Sequence, residues 1–174
     1  MHTKTGLHSD EEIITYLEMS SPADLLWPRR SAPDFDFELM SPPDPELHRA
    51  LYIRVGSAWQ WTDRLSWSFA EWQARSHDAH VAVWVARVAD EPIGFVELDF
   101  ADDGNVEITY FGLTPNWIGA GYGGAVLAAG VNKAWREPDT RRVWLHTCNF
   151  DHPNALANYK ARGFRITCVR HGPE

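Results

Sequence analysis

The sequence predicts an α/β protein of the α+β kind, in the order strand, two helices, three antiparallel strands, helix, strand, helix and strand. Two observations carry this prediction. Alternating apolar runs on both sides of Asp103-Gly104 are typical of a β-hairpin, and a glycine-rich turn leads from the second run into a helical pattern. The length of 174 residues suits one domain with a sizeable core.

Strands are predicted where β-branched and aromatic residues cluster between turn residues. They span residues 35–39, 81–88, 93–100, 105–113, 143–148 and 164–169. An earlier run, residues 13–19, fits a strand or a short helix, because periodicity does not separate the two over so few residues. The polar residues before it are predicted to form a tail.

Capping residues predict where the helices begin and end. Asp44 before Pro45 starts a first helix that stops at Gly56, and the capping-box pair Ser68 and Glu71 starts a second. The two later helices are predicted over residues 121–135 and 153–163.

The glycine-rich turn predicts a phosphorylated ligand. Gly119, Gly121, Gly123 and Gly124 lie within six residues, so consecutive N–H groups can converge on an anion at a helix start. A dinucleotide fingerprint needs another glycine three residues on, and a mononucleotide loop needs Lys before Ser or Thr; the turn has neither. Glu107 in the preceding strand also argues against a fully buried parallel strand.

Two motifs resemble those of the GNAT superfamily of acyl-CoA-dependent N-acyltransferases. The first is Arg/Gln-x-x-Gly-x-Gly/Ala, here Ile118-Gly119-Ala120-Gly121-Tyr122-Gly123. The second is Ala-x-x-x-Tyr-x-x-x-Gly-Phe, here within residues 154–164. They stand in the family's order about 36 residues apart, and the resemblance covers roughly residues 34–170.

The resemblance implies the GNAT fold, a central mixed, mostly antiparallel twisted sheet flanked by helices. The domain is expected over residues 34–174, after an N-terminal tail and extended segment over residues 1–33. Family members usually add another strand after the Gly-Phe pair, but only ten residues follow Phe164. Either residues 13–19 or a partner chain then supplies the missing strand, which leaves a homodimer open.

The resemblance also implies that acetyl-CoA, as co-substrate, gives its acetyl group to a primary amine of a small molecule or peptide by direct attack. Glu107 matches the family's base, acting through water, and Tyr159 its general acid. Alternatively, Glu107 is a surface-facing strand residue or an arginine partner, and Tyr159 packs beside Leu156.

The setting of Glu107 depends on the strand register. If Asp103-Gly104 is a two-residue turn, Glu107 faces Phe100 and Leu98, an apolar setting that raises the pKa of a carboxyl group. A slip of one residue removes that argument.

The residues implied to bind the coenzyme are Phe111, Gly112, Leu113, Gly119, Ala120, Gly121, Tyr122, Gly123, Gly124 and Asn154. Asn154 is equally a helix-start residue. Ile118 departs from the family, which places Arg or Gln there to hold the pyrophosphate. We expect a weaker coenzyme interaction, with Lys160, Arg162 or Lys133 as possible replacements.

The acceptor amine is expected near the first two helices. Trp59, Trp61 and Trp67 predict an aromatic-walled pocket, and Glu97 with Asp99 on one strand face would attract an ammonium group. Alternatively, the tryptophans hold a short helix pair against the sheet, and the two acids are solvated.

Composition restricts the partners. The net charge of −8 disfavours nucleic acid and favours cationic substrates, although an acidic balance also keeps proteins dissolved. The sequence shows no membrane-spanning run or leader, so no membrane partner and a cytoplasmic location are expected. Cys148 and Cys168 are expected as reduced thiols, and the scattered histidines predict no metal.

Two other functions compete with an acetyltransferase. A non-catalytic acyl-CoA-binding sensor or interaction domain is favoured by Ile118. A dinucleotide-binding oxidoreductase is the least favoured of the three functions, because antiparallel strands before the glycine turn do not form the βαβ unit that such a protein needs.

Overall fold

The computed structural model describes residues 11–172, which form a seven-stranded sheet with four α-helices. The strands are β1 Ile13–Met19, β2 Asp36–Leu39, β3 Val81–Val88, β4 Glu91–Asp102, β5 Asn105–Leu113, β6 Arg142–Cys148 and β7 Arg165–His171. The helices are α1 Pro45–Gly56, α2 Phe69–Ser76, α3 Gly123–Arg136 and α4 Ala155–Ala161.

The strands lie in the order β2-β3-β4-β5-β6-β1-β7. Every neighbouring pair is antiparallel except β5 and β6, which are parallel. The predicted mixed, mostly antiparallel sheet flanked by helices is therefore confirmed.

Strand β1 takes the sheet position for which residues 13–19 or a partner chain had been considered. It lies between β6 and β7 and pairs antiparallel with both, from Ile14 opposite Cys148 on one side to Ile13 opposite His171 on the other. Leu17 on this strand is fully buried. The chain itself thus provides the missing strand, and residues 13–19 share the sheet of the domain that was predicted from residue 34.

The central position of β1 predicts a large loss of stability when its core contact is removed. Leu17→Ala is expected to lower the free energy of unfolding by about 2–5 kcal/mol, because the side chain is enclosed and its removal leaves a cavity. Urea unfolding measures this. Ile166→Ala on the exposed edge strand β7 is the control and should cost less than about 1 kcal/mol. Equal, small effects would show that β1 is only loosely attached.

Two core clusters pack on opposite faces of the sheet. Neighbouring residues of β4 point to opposite faces, so that Phe95 packs with α1 and α2 while Val96 packs with α3. Gly130 of α3 allows close approach, because a Cβ there would lie 2.8 Å from both methyl groups of Val96. The helices of the two faces thereby hold β4, which pairs with β5, the strand that leads into the glycine turn.

The β4–β5 hairpin has the predicted turn but not the predicted register. Asp102 pairs with Asn105 around Asp103-Gly104, and Gly104 has φ +71°, as the turn requires. A bulge then adds one residue to β4, so Glu107 stands opposite Asp99 instead of Phe100. The expected apolar cross-strand neighbour of Glu107 is therefore wrong.

Candidate active site

A cleft opens where the two parallel strands part. Strands β5 and β6 pair only over residues 105–107 and 142–144, and beyond these residues they diverge. A cavity of about 1070 Å³ lies there, lined by residues of both strands and by the starts of α3 and α4. On this side the rest of β5 has no partner strand in the described part of the chain, so its main-chain groups are available to a ligand.

The N-terminal end of α3 forms one wall of the cavity. Gly119 (φ +80°) and Gly121 (φ +93°) have left-handed backbone conformations that favour glycine. The side chain of Tyr122, the residue before α3, does not cap the first turn of this 14-residue helix. Its N–H groups and positive dipole end are thus available to an anion.

Most of the predicted coenzyme residues line this cavity: Phe111, Gly112, Leu113, Gly119, Gly121, Gly123, Gly124 and Asn154. Ala120 and Tyr122 do not; the buried Tyr122 ring packs against Phe35 and Trp117 instead. Ile118, the residue that departs from the family motif, also lines the cavity. Binding by these residues stays a prediction.

Tyr159 faces the cavity from α4. Its ring packs 6.2 Å from the rings of Phe111 and Phe164, and its hydroxyl has no hydrogen-bond partner among residues 11–172. Burial and the charge of Asp151 raise the pKa of the Tyr159 hydroxyl. Tyr159 therefore carries its proton at neutral pH, as a general acid must.

Glu107 lies next to the cavity but does not line it. Its Oε1 is 3.9 Å from Nδ1 of His146, which does line it. Burial raises the pKa of Glu107, and the charge of Asp99 adds to this, while His146 opposes it. The expected desolvation of Glu107 is thus present, although its cause is not the Phe100 contact.

Another part of the cavity lining, formed by Trp61, Asp63, Tyr110 and Asp151, is aromatic and acidic. Trp61 Nε1 donates to Asp151 Oδ1 at 3.2 Å, and the Tyr110 hydroxyl donates to Asp63 Oδ2 at 3.1 Å. The Trp61 and Tyr110 rings are 4.8 Å apart. Trp59 also lines the cavity, 4.8 Å from the ring of His152. Trp59 and Trp61 thus line the cavity, and their contact with an acceptor amine stays a prediction.

The sequence indicated neither Tyr110 nor Asp151 as a lining residue, and it gave Asp63 no separate role, although Asp63 lies in the predicted acceptor loop. Tyr110 lies on β5, the strand that carries Glu107, so its position was a usable signal. The two acids lie in loops and meet their aromatic partners only across 47 and 90 residues of sequence.

Glu97 has a structural role, and its predicted attraction of an ammonium group is wrong. It is fully buried and accepts hydrogen bonds from Arg64 Nη1 at 2.7 Å, Arg75 Nε at 2.9 Å and His48 Nε2 at 2.6 Å. Burial alone raises the pKa of Glu97, but the hydrogen bonds from His48 and Arg64 outweigh it and hold the pKa well below its usual range. This buried carboxylate does not line the cavity.

Asp99 and Trp67 also lie outside the cavity lining. Asp99 accepts a hydrogen bond from Arg75 Nη1 at 2.7 Å, and the Arg64 guanidinium lies 4.6 Å from the Trp67 ring. The same guanidinium lies 4.5 Å from the Tyr110 ring. Arg64 thus contacts both Trp67 and Tyr110, a residue of the cavity lining.

Within residues 11–172, no three His, Cys, Asp or Glu side chains are grouped as a metal site. The same residues contain no helix with the length and apolar character to cross a membrane.

Comparison with known proteins identifies the family. The model of the acetyltransferase (GNAT) family matches residues 39–164, and the chain belongs to this family. A search of curated proteins found no match.

Solved structures share the fold. A GCN5-related N-acetyltransferase from Kribbella flavida aligns with a TM-score of 0.64 at 18% identity, over 93% of this chain and 58% of its own. One from Sphaerobacter thermophilus aligns at 0.63 and 20% identity, over 92% of this chain and 50% of its own. An aminoglycoside acetyltransferase from an uncultured soil metagenomic sample, in complex with sisomicin, aligns with a TM-score of 0.57 at 16% identity. The alignment covers 74% of this chain and 85% of that protein. The chain thus spans only half to three fifths of the first two relatives.

Proposed function

We propose that this protein transfers an acetyl group from acetyl-CoA to a primary amine of a small molecule or peptide by direct attack. The observation that carries the proposal is the cavity between β5 and β6, which joins an anion-binding helix start, the protonated Tyr159 and an acidic aromatic wall. Acetyl-CoA supplies an acyl thioester, which is activated towards attack by a neutral amine. A cytoplasmic location and a homodimer stay predictions, as does the absence of nucleic-acid and membrane partners.

Different main-chain groups of the cleft bind different parts of acetyl-CoA. The first-turn N–H groups of α3 bind phosphate, and the main chain of Leu113 lies along the pantetheine arm. The Phe111 N–H donates to the acyl carbonyl oxygen and stabilises the charge that develops there. This assignment is supported by the unpaired side of β5, which leaves main-chain groups at these residues without a partner strand.

Two side chains move protons. The Glu107 carboxylate accepts the proton of the amine through a water molecule, because it lies beside the cavity and not on its wall. Its raised pKa makes it a better base than an ordinary carboxylate. Tyr159 donates its proton to the departing thiolate. Glu107 then releases its proton to solvent, and the tyrosinate takes up a proton from solvent, which restores both groups for the next turnover.

The acceptor wall favours a cationic amine. Asp63 and Asp151 supply negative charge at the edges of the Tyr110 and Trp61 rings, and this charge attracts an ammonium group. The bound ammonium group first loses one proton to solvent, and the neutral amine then attacks; the second proton, lost as the amide forms, is the one that Glu107 accepts. The chain's acidic balance agrees with this choice.

The experiment that tests the function is thiol release from acetyl-CoA by the purified protein, measured with and without each member of an amine panel. The proposal expects release that requires both protein and amine, with the acetylated amine detected by mass spectrometry. Acetyl-CoA binding without release for any amine would instead favour a sensor, the alternative that Ile118 supports.

Removal of the Tyr159 hydroxyl is expected to slow turnover. Tyr159→Phe keeps the ring contacts with Phe111 and Phe164 but removes the proton, so kcat should fall about 100-fold. The KM for acetyl-CoA should change little. Thermal unfolding is the control and should match that of the wild type; an undiminished kcat would show that Tyr159 only packs.

A further inference from the structure

The side chain of Arg162 lies against the glycine turn. Arg162 is the residue after α4, and a Cβ added to Gly124 would overlap its Nη1 atom. Its Nε is buried and has no hydrogen-bond partner, and Arg162 makes no ion pair within residues 11–172. It lines the cavity at the start of α3. A charged group thus stands in the coenzyme cleft with no counter-charge among these residues.

This placement is unfavourable unless an anion binds there. An arginine stays charged in proteins, and a partly buried charge without a partner costs stability. The N-terminal end of α3 carries positive dipole charge and uncapped N–H groups, so it repels a guanidinium. Burial lowers the pKa of Arg162, in agreement with this strain. An anion between the guanidinium and the start of α3 would neutralise the unpaired charge of Arg162 and also remove its repulsion from the helix dipole.

The backbone holds Arg162 in this position. Its C=O accepts the Leu26 N–H at 2.9 Å, and its N–H donates to the Asn158 C=O at 3.0 Å. The next residue, Gly163, has φ +102°, and a Cβ there would collide with the Asp24 C=O. Both the end of α4 and the segment after β1 therefore fix the base of the side chain, which favours a specific binding role over a chance orientation.

We propose that Arg162 binds the pyrophosphate of acetyl-CoA and replaces the basic residue that the family motif places at Ile118. The inference rests on the proposed function, because it needs acetyl-CoA in the cleft. Arg162 reaches the helix start from α4, whereas the motif residue would come from the turn before α3. The guanidinium supplies a planar set of donors that matches phosphate oxygens.

Calorimetric titration of wild-type protein and Arg162→Met with acetyl-CoA and with its 3′-dephospho form tests the assignment. Methionine keeps an unbranched chain but removes the charge. Arg162→Met should bind both ligands about 10- to 100-fold more weakly, since both contain the pyrophosphate. Its unfolding temperature without ligand should be unchanged or higher, because an unneutralised charge is removed.

Two further variants sharpen the test. Arg136→Met removes an exposed arginine from the other end of α3 and should leave affinity unchanged. Adding Ile118→Arg to Arg162→Met restores a basic residue to the motif position. The double variant should bind acetyl-CoA at least tenfold more tightly than Arg162→Met.

The possible results distinguish an error in the role of Arg162 from an error in the proposed function. Wild-type affinity in Arg162→Met, or a loss confined to acetyl-CoA, would overturn the pyrophosphate assignment alone; the second result would place Arg162 on the 3′-phosphate. No acetyl-CoA binding by the wild type would refute the proposed function and the assignment with it.

Discussion

Glu107→Gln is expected to lower kcat/KM for the amine about 10²- to 10⁴-fold, the usual contribution of a positioned base. Glutamine has the size of glutamate but does not accept the proton. Acetyl-CoA affinity should be unchanged, because Glu107 does not line the cavity. Steady-state thiol release and calorimetric titration measure the two quantities.

The pH profile gives an independent check on Glu107. A base acts only when it is deprotonated, so kcat/KM should rise with pH through the pKa of Glu107, which burial and Asp99 place above its usual value. This rise should be absent in Glu107→Gln. Asp99→Asn removes the neighbouring charge and should move the rise to lower pH. A wild-type rate and profile in Glu107→Gln would show that the base lies elsewhere, and His146 on the cavity wall would be tested next.

Glu97→Gln is expected to lower the free energy of unfolding by about 3–5 kcal/mol, because it leaves Arg64 and Arg75 partly buried without their shared counter-charge. Urea unfolding at pH 7 measures this. Glu18→Gln is the matched control, since Glu18 pairs with Arg142 at a more exposed site and should contribute less than about 1 kcal/mol.

The effect of Glu97 should depend on pH with a definite sign. Its folded-state pKa lies below the unfolded value of about 4.3, so its ionisation stabilises the fold above that pH. The stabilisation is lost progressively as the pH falls below about 4.3, and the difference between wild type and Glu97→Gln should narrow there. A small difference at pH 7 that does not change with pH would contradict the buried network.

Local sequence patterns predicted the helices and strands but not every pairing between strands. The apolar residues of β1 indicate a strand or helix, but its place between β6 and β7 depends on contacts more than 120 residues away in sequence. The Asp103-Gly104 turn is a local signal and was predicted; the bulge beyond it depends on packing against neighbouring elements and was not. The register error at Glu107 follows from that bulge.

The same limit explains the error at Glu97. Alternation along β4 places Glu97 on the face that α1 and α2 cover, and alternation alone does not reveal that His48, Arg64 and Arg75 meet there. The opposite outcome holds for Tyr159, whose spacing before Gly163 was enough to place it near the cleft. Motif spacing was enough to identify Tyr159 as a candidate site residue. The charged partners of Glu97 come from distant segments of the sequence, so only the fold reveals them.

The claim on which the account depends is that the cleft between β5 and β6 binds acetyl-CoA, and calorimetric titration of the wild-type protein tests it most directly. NADH and adenosine diphosphate serve as controls for dinucleotide and simple diphosphate binding. We expect saturable acetyl-CoA binding that is tighter than the binding of either control. Folded protein that binds no acetyl-CoA, or that prefers NADH, would contradict it.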